Sequence, residues 1–121
     1  MMLSDPTCLF CKIVAGEIPA AVVFESATVL GFNDVNPQAP THVLFIPKHH
    51  VASHAHVTDP ALYADVMSAI QTFAQQQGLA DYRLVSNTGA GAGQSVFHWH
   101  VHYISGSATA LATRLSHTLV K

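Results

Sequence analysis

"TGAGAGQSVFHWHVHYI", Thr88 to Ile104, joins a glycine-rich loop to three histidines at strict alternation, His98, His100 and His102. On a strand, successive side chains point to opposite faces. The three imidazoles would then line one side at steps of roughly 6–7 Å, with Trp99, Val101 and Tyr103 on the other. On a helix His100 would point away from its two neighbours. The pattern therefore predicts a strand over "SVFHWHVHYI" with one polar and one core face. A row of imidazoles is costly to bury without partners, which leaves three readings: a water-facing edge strand, a three-histidine zinc site of the hydrolytic kind, or the lining of a reaction site. The loop bears on the third. Gly89, Gly91 and Gly93 would let backbone N–H groups turn toward one point and bind an anion without a lysine.

Outward from this segment, "DYRLVSN" reads as a strand. "TDPALYADVMSAIQTFAQQQGL" reads as a helix, capped by Asp59, started by Pro60, closed by Gly78, and carrying Leu62, Val66, Ile70 and Phe73 on one face. "AVVFES" and "TVLGFND" form a hairpin, and "THVLFIPKHH" a third strand ended by Pro47. Near the start, Asp5 or Thr7 can cap a short helix with Leu9, Ile13 and Val14, stopped by Gly16 and Pro19. About five strands interrupted by two helices, without regular βαβ alternation, predict an α+β fold with a mainly antiparallel sheet. One domain spans residues 1–121. Its tail, 105–121, has leucines at 111, 115 and 119 in helical spacing, weakened by threonines and serines.

Half of the residues are hydrophobic and a tenth charged, an oily composition that favours a homodimer. The five basic residues are scattered, so no stripe exists to neutralise a nucleic-acid polymer; a phosphate partner would be small. No apolar run reaches the length of a membrane span, and no secretory leader is visible, so the expected location is the cytoplasm. Nine histidines make imidazole chemistry the first candidate. A neutral imidazole can attack phosphorus directly, a second can shuttle a proton, and the middle one, His100, is the natural nucleophile. Cys8 and Cys11, the only cysteines, supply half of a tetrahedral zinc site; two unpaired thiols, or a redox pair lacking its usual βαβ context, are the other readings.

With "GQSVFHWHVHYI" in hand, the chain resembles the histidine triad (HIT) family, whose motif is His-φ-His-φ-His-φ-φ with φ apolar. Trp99, Val101, Tyr103 and Ile104 all fit. The resemblance extends to "CLFCKIVAGEIPA", "FNDVNPQAPTHVLFIPKHH" and "VSNTGAGAGQS", and it is most similar to the Hint branch of nucleoside phosphoramidases. It implies two subunits paired into a continuous sheet, and hydrolysis of a purine nucleoside 5′-monophosphate joined to an amine through a covalent nucleotidyl-histidine. No organic cofactor is implied.

On this resemblance His100 is the nucleophile, His98 and His102 orient and relay, Ser95 bonds the leaving group or a phosphate oxygen, and His42 supports the nucleophile. Asp34 would bind ribose hydroxyls. Phe10, Phe32 and Val35 would form the slot for the base, with Asn87, Gly93 and Gln94 near the phosphate. The resemblance also implies a structural zinc on Cys8, Cys11, His50 and His98, with His49 as the competitor to His50. Two alternatives remain: hydrolysis of dinucleoside polyphosphates, as in another branch of the family, and a non-catalytic nucleotide-binding or interaction module.

Overall fold

In the computed structural model of the chain, residues 2–106 are described. The elements run α1 (Leu9–Val14), β1 (Val22–Glu25), β2 (Val29–Asn33), β3 (Thr41–Pro47), α2 (Pro60–Gln77), β4 (Arg83–Val85) and β5 (Val101–Ser105). The five strands form one sheet in the order β1-β2-β3-β5-β4, and every neighbouring pair is antiparallel. This is the expected α+β architecture. The leucines of the tail lie outside the described residues.

Strand alternation gives the sheet two different faces. Val43, Phe45, Val101 and Tyr103 pack with Val66, Ile70 and Phe73 of α2. On the opposite face Leu30, Phe32, Leu44 and Ile46 pack with Phe10 and Cys11 of α1. The 18-residue α2 is placed as the sequence suggests: Asp59 accepts from the Ala61 amide, and Gly78 ends the helix in the left-handed conformation. The six-residue α1 is too short to cover the other face, and the histidines share that face. Close contact also shapes β2. A Cβ at Gly31 would meet the ring of buried Phe45 at 2.9 Å and the Cβ of Phe24 at 3.1 Å, so only glycine lets the hairpin lie flat on its neighbour.

Three local expectations are corrected. The cap of α1 is neither Asp5 nor Thr7 but Cys8, whose sulfur accepts from the Cys11 amide at 3.3 Å. Asp5 instead closes a small turn, accepting from both the amide and the hydroxyl of Thr7. The buried face of α1 is Phe10 and Cys11, while Leu9 is exposed. Finally, β5 begins at Val101, so only His102 of the three histidines lies in the strand. Residues 95–100 are held by other partners: the Trp99 amide donates to the Val51 carbonyl, and the Ser86 hydroxyl accepts from the Trp99 indole and donates to the His100 carbonyl. The alternation survives this departure. Trp99 joins the α2 core while His98, His100 and His102 are all buried on the α1 side.

Candidate active site and candidate metal centre

Hydrogen bonds to the backbone decide which nitrogen of each imidazole carries its proton. A carbonyl can only accept and an amide can only donate, so each such bond fixes a tautomer. His100 Nδ1 lies 2.6 Å from the His98 carbonyl oxygen and therefore donates to it. The lone pair of neutral His100 is then on Nε2. His42 Nδ1 accepts from the Gln38 amide at 2.9 Å, so its proton is on Nε2. That Nε2 lies 2.9 Å from His102 Nδ1, which must accept, leaving neutral His102 with its proton on Nε2. One backbone amide thus sets two rings in sequence, and adjacent histidines of the triad end with opposite tautomers.

Phe10 packs edge-on against His100, with ring centroids 5.2 Å apart, and against Phe32 at 5.4 Å. Beside these rings a cavity of about 390 Å³ opens, within the size range of small-molecule sites, its walls including Phe10, Phe32, Asp34, Val35 and Ser95. The expected base-slot residues are therefore brought together with Asp34. Val35 is 86 % exposed, so it forms a rim and not a floor. The Asp34 side chain is fully buried: one oxygen accepts from the Asn36 amide, and the other lies 3.3 Å from His42 Nε2. Ser95 is exposed and also borders a second cavity of about 420 Å³ lined by Asp5, Thr7, His50 and Phe97. Asn87 is half-buried just before the glycine loop.

The loop itself differs from the expected anion nest. Gly89 and Gly93 do adopt positive φ, 86° and 98°. The amides of Ala92, Gly93 and Gln94 donate to carbonyls within the loop, and the Gly89 amide donates to the Gln94 side chain. The buried Gln94 amide group also donates to the carbonyls of Ala52 and Val96. Gln94 is thus a strut that ties the loop to its surroundings, and the loop closes on itself instead of aiming these amides at one point. Composition shows the glycines but not the long-range bond from Gln94 to the Ala52 carbonyl that ties their loop down.

Cys8, Cys11, His50 and His98 converge below α1. His98 Nε2 donates to the Pro47 carbonyl at 2.8 Å, which turns the Nδ1 lone pair toward the sulfurs of Cys8 and Cys11 at 3.4 and 3.5 Å. His50 Nδ1 lies 3.3 Å from both the Cys11 sulfur and His98 Nδ1. A tetrahedron built on zinc–nitrogen and zinc–sulfur bonds of about 2.0 and 2.3 Å has edges of roughly 3.3–3.8 Å, so these four donors fit zinc. Burial lowers the His98 pKa to about 4 and keeps it neutral, as a ligand must be; burial also pushes the Cys8 thiol up, so metal uptake there releases a proton. His49 is not part of the group, because its Nδ1 accepts from the Leu3 amide. Asp5, which composition gave no reason to select, stands outside it: its carboxylate is 4.0 Å from His50 Nε2, and its amide donates to the Cys11 sulfur.

The family model described as "HIT domain" matches residues 15–109. Among solved structures, a HIT family hydrolase from Legionella pneumophila Philadelphia 1 is 48% identical with a TM-score of 0.79, over 84% of this chain and 94% of its own. A histidine triad nucleotide-binding protein from Candida albicans is 33% identical with a TM-score of 0.80, over 86% and 78%. A 14 kDa zinc-binding protein from Zea mays is 41% identical over 112 residues, 86% of this chain and 85% of that protein.

Proposed function

Because the chain belongs to the HIT family, we propose that it hydrolyses purine nucleoside 5′-monophosphates joined to an amine, through a covalent nucleotidyl intermediate on His100. One observation carries this reading: the 2.6 Å bond from His100 Nδ1 to the His98 carbonyl, which presents the Nε2 lone pair as a nucleophile without any prior proton transfer.

In the first step Nε2 attacks phosphorus and the phosphorus–amine bond breaks. In the second, water displaces His100 and releases the mononucleotide. His102, held as an Nε2–H donor by His42, stabilises the charge that grows on a phosphate oxygen. Ser95, at the border of the two cavities, bonds the departing amine and gives it the hydroxyl proton, which the attacking water of the second step restores. Phe10, Phe32 and Val35 hold the base, Asp34 receives the ribose, and Asn87 and the Gly93–Gln94 turn border the phosphate. Among the described residues, the cavity wall contains no Lys or Arg, which favours one phosphate over a polyphosphate chain.

Zinc on Cys8, Cys11, His50 and His98 is structural in this reading. It joins α1 to the segment bearing His100, and the reaction needs no organic cofactor. The free thiols of the pair suit the cytoplasm. Two subunits pair through β4, which ends the sheet and exposes Leu84. Among the described residues no helix is long and apolar enough to cross a membrane.

The test is release of AMP from an adenosine 5′-phosphoramidate by the zinc-loaded protein and by His100→Ala. A loss on the order of 10³-fold or more in the variant is expected. AMP binding without release by the folded wild type would favour the interaction module, and a clear preference for a dinucleoside polyphosphate would favour the other branch.

A further inference from the structure

We propose that the second cavity, beside the cysteine–histidine cluster, receives the departing amine, and that Asp5 selects amines carrying a further positive charge. The inference rests on the nucleotide-hydrolase reading above and names the class of its leaving group.

The two cavities meet at a shared ridge. Leu9, Ser95 and Val96 border both, while Phe10, Phe32 and Asp34 line the nucleotide side and Asp5, Thr7 and Phe97 the other. A substrate with its base against Phe10 and Phe32 and its amine nitrogen at Ser95 therefore leads its leaving group into the second space. At about 420 Å³ that space is large enough for a small organic amine.

Its lining sets what it takes. Leu9 and Phe97 are each close to half exposed and offer apolar surface to the methylenes of an alkylamine. Its charge comes from Asp5. One oxygen of that carboxylate is held by the amide and the hydroxyl of Thr7, at 2.8 and 2.7 Å, which fixes the side chain. The other lies 4.0 Å from His50 Nε2, beyond hydrogen-bond reach, and the side chain is 42% exposed, so it can accept from a ligand. Among the described residues the wall contains no Lys or Arg. Zinc in the neighbouring cluster would not alter this balance, because two thiolates cancel the charge of the ion and the ligating imidazoles are neutral. The space thus presents one negative charge beside apolar surface. An alkylamine with an ammonium at its far end is the complement of that surface, and one with a far-end carboxylate meets like charge. No covalent step is added to those above.

The experiment measures kcat and KM of zinc-loaded wild type and Asp5→Asn on three adenosine 5′-phosphoramidates, whose amines are putrescine, butylamine and γ-aminobutyrate. The amines match in length and differ in the charge of the far end: positive, none and negative. In wild type kcat/KM should fall in that order, by on the order of 10-fold from first to last, with KM carrying the difference because a remote contact is made before and during the reaction alike. Asp5→Asn should shrink that ratio to about 2-fold, and high salt should shrink it in wild type, since the carboxylate is partly exposed. Ratios compared between the two proteins cancel the intrinsic reactivity of each substrate and any loss of loaded enzyme, which lowers all three rates together. A wild type that treats the three alike, or prefers the carboxylate, would overturn the assignment, and this arm needs no variant to fold. A ratio undiminished in Asp5→Asn would also overturn it. Absence of release from all three by folded wild type would instead remove the hydrolase reading, and the leaving-group assignment with it.

Discussion

Two buried clusters flank the triad, one of Cys8, Cys11, His50 and His98 and the other of Asp34, His42 and His102, and in each the candidate ligand atoms lie within 4.8 Å of one another. They differ in where the backbone has placed the protons. At the first, the Pro47 carbonyl takes the Nε2 proton of His98, so lone pairs and sulfurs face one another. Such a group can hold a cation. At the second, the Gln38 amide occupies His42 Nδ1, so the Nε2–H of His42 already points at the ring of His102, with the Asp34 carboxylate 3.3 Å from that nitrogen. A metal there would have to displace the proton that holds the cluster together. Residue type alone does not separate a metal centre from a proton-sharing network; one carbonyl and one amide do.

The sharpest way to break this distinction is to remove zinc. Chelation should lower the thermal midpoint by roughly 10 °C or more, since a ligand at 1,000 times its Kd stabilises by about 4 kcal/mol and a domain of this size shifts several degrees per kcal/mol. Cys8→Ser should abolish that response, whereas His42→Ala should keep it; calorimetry with metal analysis checks both.

Next in size, His42→Ala should reduce kcat/KM on the order of 100-fold at unchanged zinc content. It leaves the buried His102 Nδ1 without the donor that fixes its tautomer. Equal zinc loss and activity loss would merge the two clusters into one functional unit.

A smaller effect follows from pH. His98 titrates near 4 in the fold because burial disfavours its charge, against an ordinary value near 6.5. The unfolded chain therefore binds this proton first, and stability is lost as pH falls from about 6.5 toward 4, by up to ~1.4 kcal/mol per unit. Denaturant titrations of metal-free protein across that window, with and without His98→Asn, should show the slope and its disappearance.

The smallest expected change is at Asp5. Thr7 lowers the pKa of its carboxylate through two hydrogen bonds, and the charge lies beside His50 Nε2. Asp5→Asn should weaken zinc affinity by about 10-fold in a competition with a chelator, as outer partners of ligating histidines commonly do.

What the sequence made legible were the features that depend on period and local chemistry. Alternation separated Trp99, Val101 and Tyr103 from the histidines, Asp59 and Gly78 bounded α2, and the paired cysteines pointed to a cluster that could hold a metal. What it missed were contacts made at long range. The start of β5 at Val101 depends on Val51 and Ser86, the choice of His50 over His49 on Leu3, and the closed glycine loop on Gln94 reaching Ala52. The tautomers belong to this second kind, because Pro47 and Gln38 bear no motif that marks them as partners of imidazoles.

Those tautomers are the centre of the account, and nitrogen-15 NMR of the histidine rings in zinc-loaded protein at neutral pH reads them directly. The expected spectrum has His100 protonated on Nδ1 and His102 on Nε2, with His98 joined to metal through Nδ1. A spectrum with His100 protonated on Nε2 would contradict the account, because its nucleophilic lone pair would then point at the His98 carbonyl and away from the phosphate.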